Sequence, residues 1–231
     1  MYYFRPSQER GQARFGWLNS KHTFSFGHYY DPKHMGFSAL RVINDDTVMP
    51  GAGFDTHGHR DMEIISYILQ GAIEHKDSEG NRYVVPAGEI QRMSAGTGIT
   101  HSEYNHSKSD QLKFLQIWIE PNRRGVQPSY EQKSITQHGK LTALVTPGGR
   151  DNTLSIHQDA SLYRLQLNTG ETITLDALER PGYLHVIDGE ASVNDKSILA
   201  SGDGLGLFKE EIQLQAARDG ITALWFDLPA N

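Results

Sequence analysis

The chain has 231 residues, with 22 basic and 28 acidic side chains, 11 histidines and no cysteine. That length accommodates one large domain or two small ones with sizeable cores, and the net charge of −6 gives no bulk attraction to nucleic acid or an anionic membrane surface. Without cysteine there are no disulfides, thiolate zinc sites or thiol catalysis, so a bound metal must take nitrogen and oxygen ligands.

The opening residues, Met1 to Arg10, carry charges early and lack the apolar stretch of a signal peptide. No apolar run approaches the ~20 residues needed to cross a bilayer, so the expectation is a cytoplasmic, soluble protein with no membrane partner. Short segments rich in Val, Ile, Tyr, Phe and Thr alternate with glycine and proline turns, the pattern of an all-β sandwich or barrel. In chain order the clearest predicted strands are 64–69, 82–85, 112–119, 141–145, 161–167, 183–187 and 223–228. The strand from Leu112 to Ile119 is apolar on both faces, which requires a cover on the outside of the barrel.

Ahead of the first of these strands lie Phe24, Phe26, Tyr29, Tyr30 and Phe37. They read as core residues packing the N-terminal strands, or as a lid over a planar ligand. The connector between two halves is expected within 120–139, where Pro121-Asn122-Arg123-Arg124-Gly125 and Pro128 interrupt any strand; Arg123 and Arg124 read as a solvated turn. A faint internal repeat follows. Tyr67-Ile68-Leu69-Gln70-Gly71 and Pro86-Ala87-Gly88-Glu89 are echoed by His185-Val186-Ile187-Asp188-Gly189 and Ala200-Ser201-Gly202-Asp203. The second half has no histidine pair, and its isolated His185 reads as a packed histidine rather than a ligand. The chain therefore divides into an N-terminal barrel over 1–130 carrying a site and a structural barrel over 131–231.

The residues that carry chemistry are His57, His59, His101 and Glu103, two i, i+2 pairs of metal-ligand types in strand-like sequence. Side chains at i and i+2 leave one face of a strand, so two neighbouring strands would bring four ligands together. Three imidazoles and a carboxylate suit a divalent first-row ion such as Fe, Mn, Ni, Co, Cu or Zn, and an octahedral ion so held keeps two positions for substrate, water or O₂. One His-x-His triplet is weak evidence in a chain this rich in histidine, since composition alone gives about 0.5 of them. No Gly-x-Ser-x-Gly elbow or phosphate loop is present, and Gly202-Asp203-Gly204-Leu205-Gly206 reads as a β-turn.

The context of the pair adds weight. Gly51 is followed by five residues and then His57-Gly58-His59, three residues and Glu63; Gly80 stands five residues before Pro86-Ala87-Gly88. These spacings resemble the two motifs of the cupin superfamily, with Gln91 where a last histidine is usual. The His101-x-Glu103 pair after Gly96-Thr97-Gly98 is similar instead to the pirin branch of the cupins. Gly16-Trp17-Leu18, His22-Thr23-Phe24-Ser25-Phe26, Tyr30-Asp31-Pro32, Met35-Gly36-Phe37 and Leu40 to Asn44 extend the resemblance across the N-terminal half.

The resemblance implies a bicupin, two antiparallel β-barrel (jelly-roll) domains, the first with the metal site and the second degenerate. It implies metal ligation by His57, His59, His101 and Glu103, with Fe(II) as the resident ion. Some pirins have quercetin 2,3-dioxygenase activity, opening the central ring of a flavonol with O₂ and releasing carbon monoxide. The implied partners are a small planar phenolic or enediol substrate and O₂, with Glu103 also the nearest candidate base for the substrate hydroxyl proton. Glu63 is left outside the ligand set, as a supporting carboxylate or a partner of Arg60. The rival reading is a metal- or redox-sensing regulator of a protein partner without turnover. Direct contact with nucleic acid is not expected, as no basic stripe or recognition motif is present.

Overall fold

A computed structural model describes residues 2–230. The chain is all-β apart from two short 3₁₀ turns, and its sheets are antiparallel, as expected for a bicupin. Its strands are β1 (Tyr2–Arg5), β2 (Gly11–Arg14), β3 (Leu18–His22), β4 (Leu40–Val48), β5 (Gly53–His59), β6 (Glu63–Gln70), β7 (Ala72–Asp77), β8 (Arg82–Pro86), β9 (Glu89–Ser94) and β10 (Ile99–Asn105). They continue with β11 (Leu112–Ile119), β12 (Ser129–Ser134), β13 (Leu141–Pro147), β14 (Leu154–Ile156), β15 (Ser161–Leu167), β16 (Thr172–Ala177), β17 (Gly182–Val193), β18 (Ser197–Ala200), β19 (Gly204–Leu207) and β20 (Glu210–Asp227). Among these residues no helix is long and apolar enough to cross a membrane.

The chain forms two compact units. One comprises Gly11–Ile135 and Pro147–Gln158, the other the residues through Arg10, Thr136–Thr146 and everything from Asp159 onward. A division at 130/131 would put β1 in the first unit, but β1 pairs along β19 and completes a sheet of the second. The stretch expected as a connector carries β12, whose residues 129–134 pair with β9. Pro121 and Pro128 do interrupt the chain there, and the strand forms in the six residues that follow.

In the first unit a seven-stranded sheet, ordered β12-β9-β6-β11-β4-β3-β2, faces a four-stranded sheet ordered β5-β10-β7-β8. Register fixes what lies between them. On β11 the inward residues are Leu112, Phe114, Gln116 and Trp118, successive i, i+2 positions. Apolar side chains fill both ends of this space. Leu18, Val48, Ile68, Leu112 and Phe114 pack against Ile73 and Val85 of the opposite sheet at one end, and Ile64 and Met93 pack with Ala95 and Ile99 at the other. The layer between is polar. His22, Asn44, Gln116, Ser66 and Gln91 stand opposite one another on β3, β4, β11, β6 and β9. The outer residues Leu115, Ile117 and Ile119 are also buried, as their apolar character required.

The second unit is a barrel whose sheet runs β1-β19-β17-β20-β15-β13, with β16 on β20 and β18 on β17. The long strands β17 and β20 pair through register shifts between Val186 and Asp188 and between Gly189 and Ala191. Such bulges let one strand bend around a barrel. The internal repeat is real in three dimensions. Gly71 and Gly189 both take positive φ, 79° and 84°, as do Gly88 and Gly202 at 88° and 85°. The Gly88 amide donates to the Ile68 carbonyl and the Gly202 amide to the equivalent Val186 carbonyl. Gly189 could not carry a side chain, because a Cβ there would lie 2.2 Å from the Gly220 carbonyl oxygen.

Candidate metal centre

His57, His59, His101 and Glu103 lie on two paired strands, β5 and β10. His101 stands opposite His57, and Glu103 opposite Phe54, so two residues on β10 span three on β5. That bulge reconciles an odd spacing. It turns both Phe54 and His57 inward, and Phe54 packs against the apolar cluster that includes Phe114 while His57 reaches the site. Close approach of the strands depends on Gly53, whose Cβ position is 2.4 Å from the Glu103 carbonyl oxygen.

The three imidazoles converge. His101 Nε2 lies 3.1 Å from His59 Nε2 and 3.1 Å from His57 Nε2. His101 is buried, His59 half-buried and His57 the least buried of the three. The His57 Nδ1–H donates to the Asp55 carbonyl at 2.7 Å, which places its proton on Nδ1 and leaves the Nε2 lone pair facing the others. Burial, reinforced by the neighbouring imidazoles, lowers His59 to about 4 and His101 to about 3. They are neutral near pH 7, the form a metal requires.

Glu103 is buried and forms a second close group with His101 and His75, their ligand atoms within 4.8 Å of one another. Its Oε1 accepts from Gln91 Nε2 at 2.7 Å and lies 3.1 Å from the Ser66 hydroxyl, while Oε2 accepts from Gln116 Nε2 at 2.7 Å. The Ser66 proton has a competing acceptor, Gln116 Oε1 at 3.0 Å. Oε2, with a single donor, is the oxygen with lone-pair capacity to spare. Gln91, which occupies the usual position of a cupin histidine, thus orients the carboxylate.

Glu63 does neither thing foreseen for it. It is buried, accepts from the Ser94 hydroxyl at 2.8 Å, and belongs to neither group of prospective ligands. The early aromatics divide. Phe24 and Phe37 are core residues, Tyr30 is 72% exposed, and Phe26 and Tyr29 line a cavity of about 630 Å³ together with Phe15, Trp17 and Phe54. None of the four prospective ligands lines it; Trp118 stands between one of its walls and the histidines, with its ring 5.3 Å from Phe26 and 5.0 Å from His59, both edge-on. Sequence reasoning overlooked His75 and Asp77, although they repeat the i, i+2 spacing of the other pairs. It also passed over Ser66 and Gln116, for which no sequence signal exists.

His185 is buried in the second unit, and burial with nearby Arg10 lowers it to about 3. Among the described residues, both groups of three prospective ligands fall in the first unit.

The Pirin family model matches residues 3–119. The chain belongs to the pirin family. A model described as the quercetinase C-terminal cupin domain matches residues 143–228, so the family's two-barrel plan spans the chain. This pirin is 48% identical to a protein of Escherichia coli K12 named quercetin 2,3-dioxygenase, with 99% of each chain covered. The crystal structure of YhhW from Escherichia coli superposes with a TM-score of 0.96 at 48% identity, covering 100% of this chain and 99% of that one. A structure of the bacterial pirin YhhW in complex with nickel(II) superposes with a TM-score of 0.95, also at 48% identity and covering 100% of both.

Proposed function

We propose that the first unit is a metal-dependent dioxygenase centre that cleaves quercetin-like flavonols with O₂. The observation that carries the reading is the convergence of three imidazoles, with His101 Nε2 3.1 Å from both partners, beside a buried, oriented carboxylate. Three ring nitrogens meeting at that separation, with His101 buried and His59 half-buried, are poorly satisfied by one another; a divalent cation satisfies them together. His57, His59, His101 and Glu103 would hold it, with Fe(II) first and Ni(II), Mn, Co, Cu or Zn accepted by the same donors. When bound, such an ion supplies Lewis acidity that lowers the pKa of a substrate hydroxyl and access to redox chemistry with O₂.

The protein's own groups do the rest. Asp55 fixes the His57 tautomer through its carbonyl. Gln91 and Gln116 hold Glu103, and Oε2 is placed to take the hydroxyl proton of an enediol or phenolic substrate. Phe26 and Trp118 form an aromatic wall beside His59. The adjoining aromatic cavity is of the size that takes a flat phenolic molecule, about 300–1,000 Å³ for small-molecule sites generally. The homologue's name, quercetin 2,3-dioxygenase, supports the same substrate class.

The test is oxygen uptake with quercetin by protein reconstituted anaerobically with Fe(II) or Ni(II), against a metal-free control that measures flavonol autoxidation. Uptake proportional to metal occupancy is expected. No uptake above control in metal-loaded protein would overturn the reading in favour of a sensor without turnover. In the same assay Glu103→Ala is expected to lose turnover by at least about 10²-fold, the usual contribution of a positioned base. Full turnover with normal metal content would remove Glu103 from that role.

A further inference from the structure

Strand β10 lies between β5 and β7, so His101 has the histidine pair on one flank and a second polar pair on the other. There Asp77 stands opposite His101, and His75 opposite Glu103. The His75 Nε2–H donates to Asp77 Oδ2 at 3.0 Å, and neither side chain has any solvent exposure. Asp77 is held in turn by the backbone amides of Glu79 and Asn81, each at 3.0 Å, and by the Asn81 side-chain amide at 2.9 and 3.1 Å. Burial would raise its pKa, but the hydrogen bonds from His75 and Asn81 outweigh that and leave it below the usual carboxylate value. The carboxylate accepts from Nε2, so the neutral form of His75 carries its proton there and leaves a lone pair on Nδ1.

The opposite holds for His101. Its Nε2 faces His57 and His59, so when that atom serves as a ligand the ring's proton sits on Nδ1. Both Nδ1 atoms are buried, and neither has a hydrogen-bond partner within the described residues. One needs an acceptor and the other offers one. The two rings are 5.5 Å apart between centres, with an interplanar angle of 54°. A buried N–H left alone costs about 1–3 kcal/mol, so a complementary pair of orphans this close has a physical reason to be matched.

We propose that Asp77 and His75 are positioning residues for the metal centre: they hold His101 in its Nδ1–H tautomer, in contact or through one bridging water, and so set how tightly His101 binds metal. This rests on His101 being a metal ligand. The relay then runs from the Asn81 turn through Asp77 and His75 to the ligand imidazole, and it ties the β7–β8 hairpin to the strength of the site.

Long-range ¹H–¹⁵N spectra of the wild-type protein, with and without Zn(II), test it directly. The expected result is a neutral His75 protonated on Nε2 and a zinc-loaded His101 protonated on Nδ1. If zinc leaves the His101 signals unmoved, His101 is not a ligand and the proposal falls with that reading. If zinc moves them while His75 carries its proton on Nδ1, the positioning pair alone is overturned. Two variants add a second readout, Ni(II) affinity by chelator competition. His75→Leu, which removes the acceptor, is expected to weaken binding about 10–100-fold, whereas His75→Gln, which offers an amide oxygen, should stay within about threefold of wild type. Wild-type affinity in His75→Leu, or equal losses in both variants, would overturn the proposal. Should His75→Leu fail to fold, the wild-type spectra still decide.

Discussion

His101 is the residue on which the site turns. It is buried, its Nε2 touches both members of the His57/His59 pair, and its ring lies between those two and His75. Ligand binding to the folded state alone stabilises it by RT ln(1 + [L]/Kd), about 2.7 kcal/mol at about a hundredfold excess over Kd. Ni(II) is therefore expected to raise the melting temperature of the wild-type protein, and His101→Ala is expected to abolish that rise. Thermal scans at several Ni(II) concentrations check this; an undiminished rise in the variant would place the ion elsewhere. The His-x-His and His-x-Glu pairs were legible in the sequence because strand periodicity alone puts i and i+2 on one face. Gln91 and Gln116 were not, because an amide becomes a carboxylate's partner only when another strand delivers the carboxylate.

At the scale of elements, the site depends on how closely β5 and β10 approach and on the bulge between them. A methyl group on Gly53 would lie 2.4 Å from the Glu103 carbonyl oxygen and 2.5 Å from the Tyr104 Cα, both backbone atoms. Gly53→Ala is expected to cost about 1–3 kcal/mol through overpacking and to weaken metal binding with it, since the same displacement moves His57 away from His101. Denaturant melts paired with metal titrations check both. A variant that loses stability but binds metal normally would mean that the bulge absorbs the shift. Strand β9 carries a different dependency. Buried Arg92 pairs with Glu131 on β12 at 2.7 Å and donates to Ser94, Ser129 and Ser155. Glu131 is 34% exposed and is left to water when Arg92 is removed, so the loss falls on the buried hydrogen bonds that Arg92 makes to the serines. Arg92→Leu is expected to destabilise by about 1–3 kcal/mol, read as a lower denaturation midpoint. The bounds of β11 and β15 are those expected from the apolar pattern, whereas β20 runs from Glu210, well before the predicted 223. Its first half alternates cleanly, with Ile212, Leu214 and Ala216 buried and Glu211, Gln213 and Gln215 exposed, a two-residue period that the predicted strand left out; it pairs with β16 and β17.

At the scale of the molecule, the two barrels share a plan but differ in what they bury. The second keeps one interior histidine, His185, which burial and Arg10 hold near 3 against an ordinary value of 6.5. A base whose folded pKa is depressed is neutral in the fold while the unfolded chain takes up a proton. Its contribution is complete above about pH 6.5 and is lost as pH falls from there toward 3, on the order of 5 kcal/mol across the window. Urea midpoints measured between pH 7 and 4 should therefore fall less steeply in His185→Leu than in wild type, and parallel slopes would contradict this assignment.

Read alone, the sequence determined the all-β class and the candidate ligand pairs, because these are written in short-range regularities, two-residue periodicity and paired histidines, while the two-barrel plan rested on the internal repeat and the resemblance to the pirins. Only the tertiary structure decided that β1 completes the second barrel, that a bulge turns Phe54 and His57 to one side, and that Glu103 is held by two glutamines. It alone brought His75 and Asp77 behind His101. The physical reason is common to all of these. Each is a pairing between strands distant in sequence, and which strand lies beside which is settled by burial and hydrogen-bond register over the whole barrel rather than by any local preference.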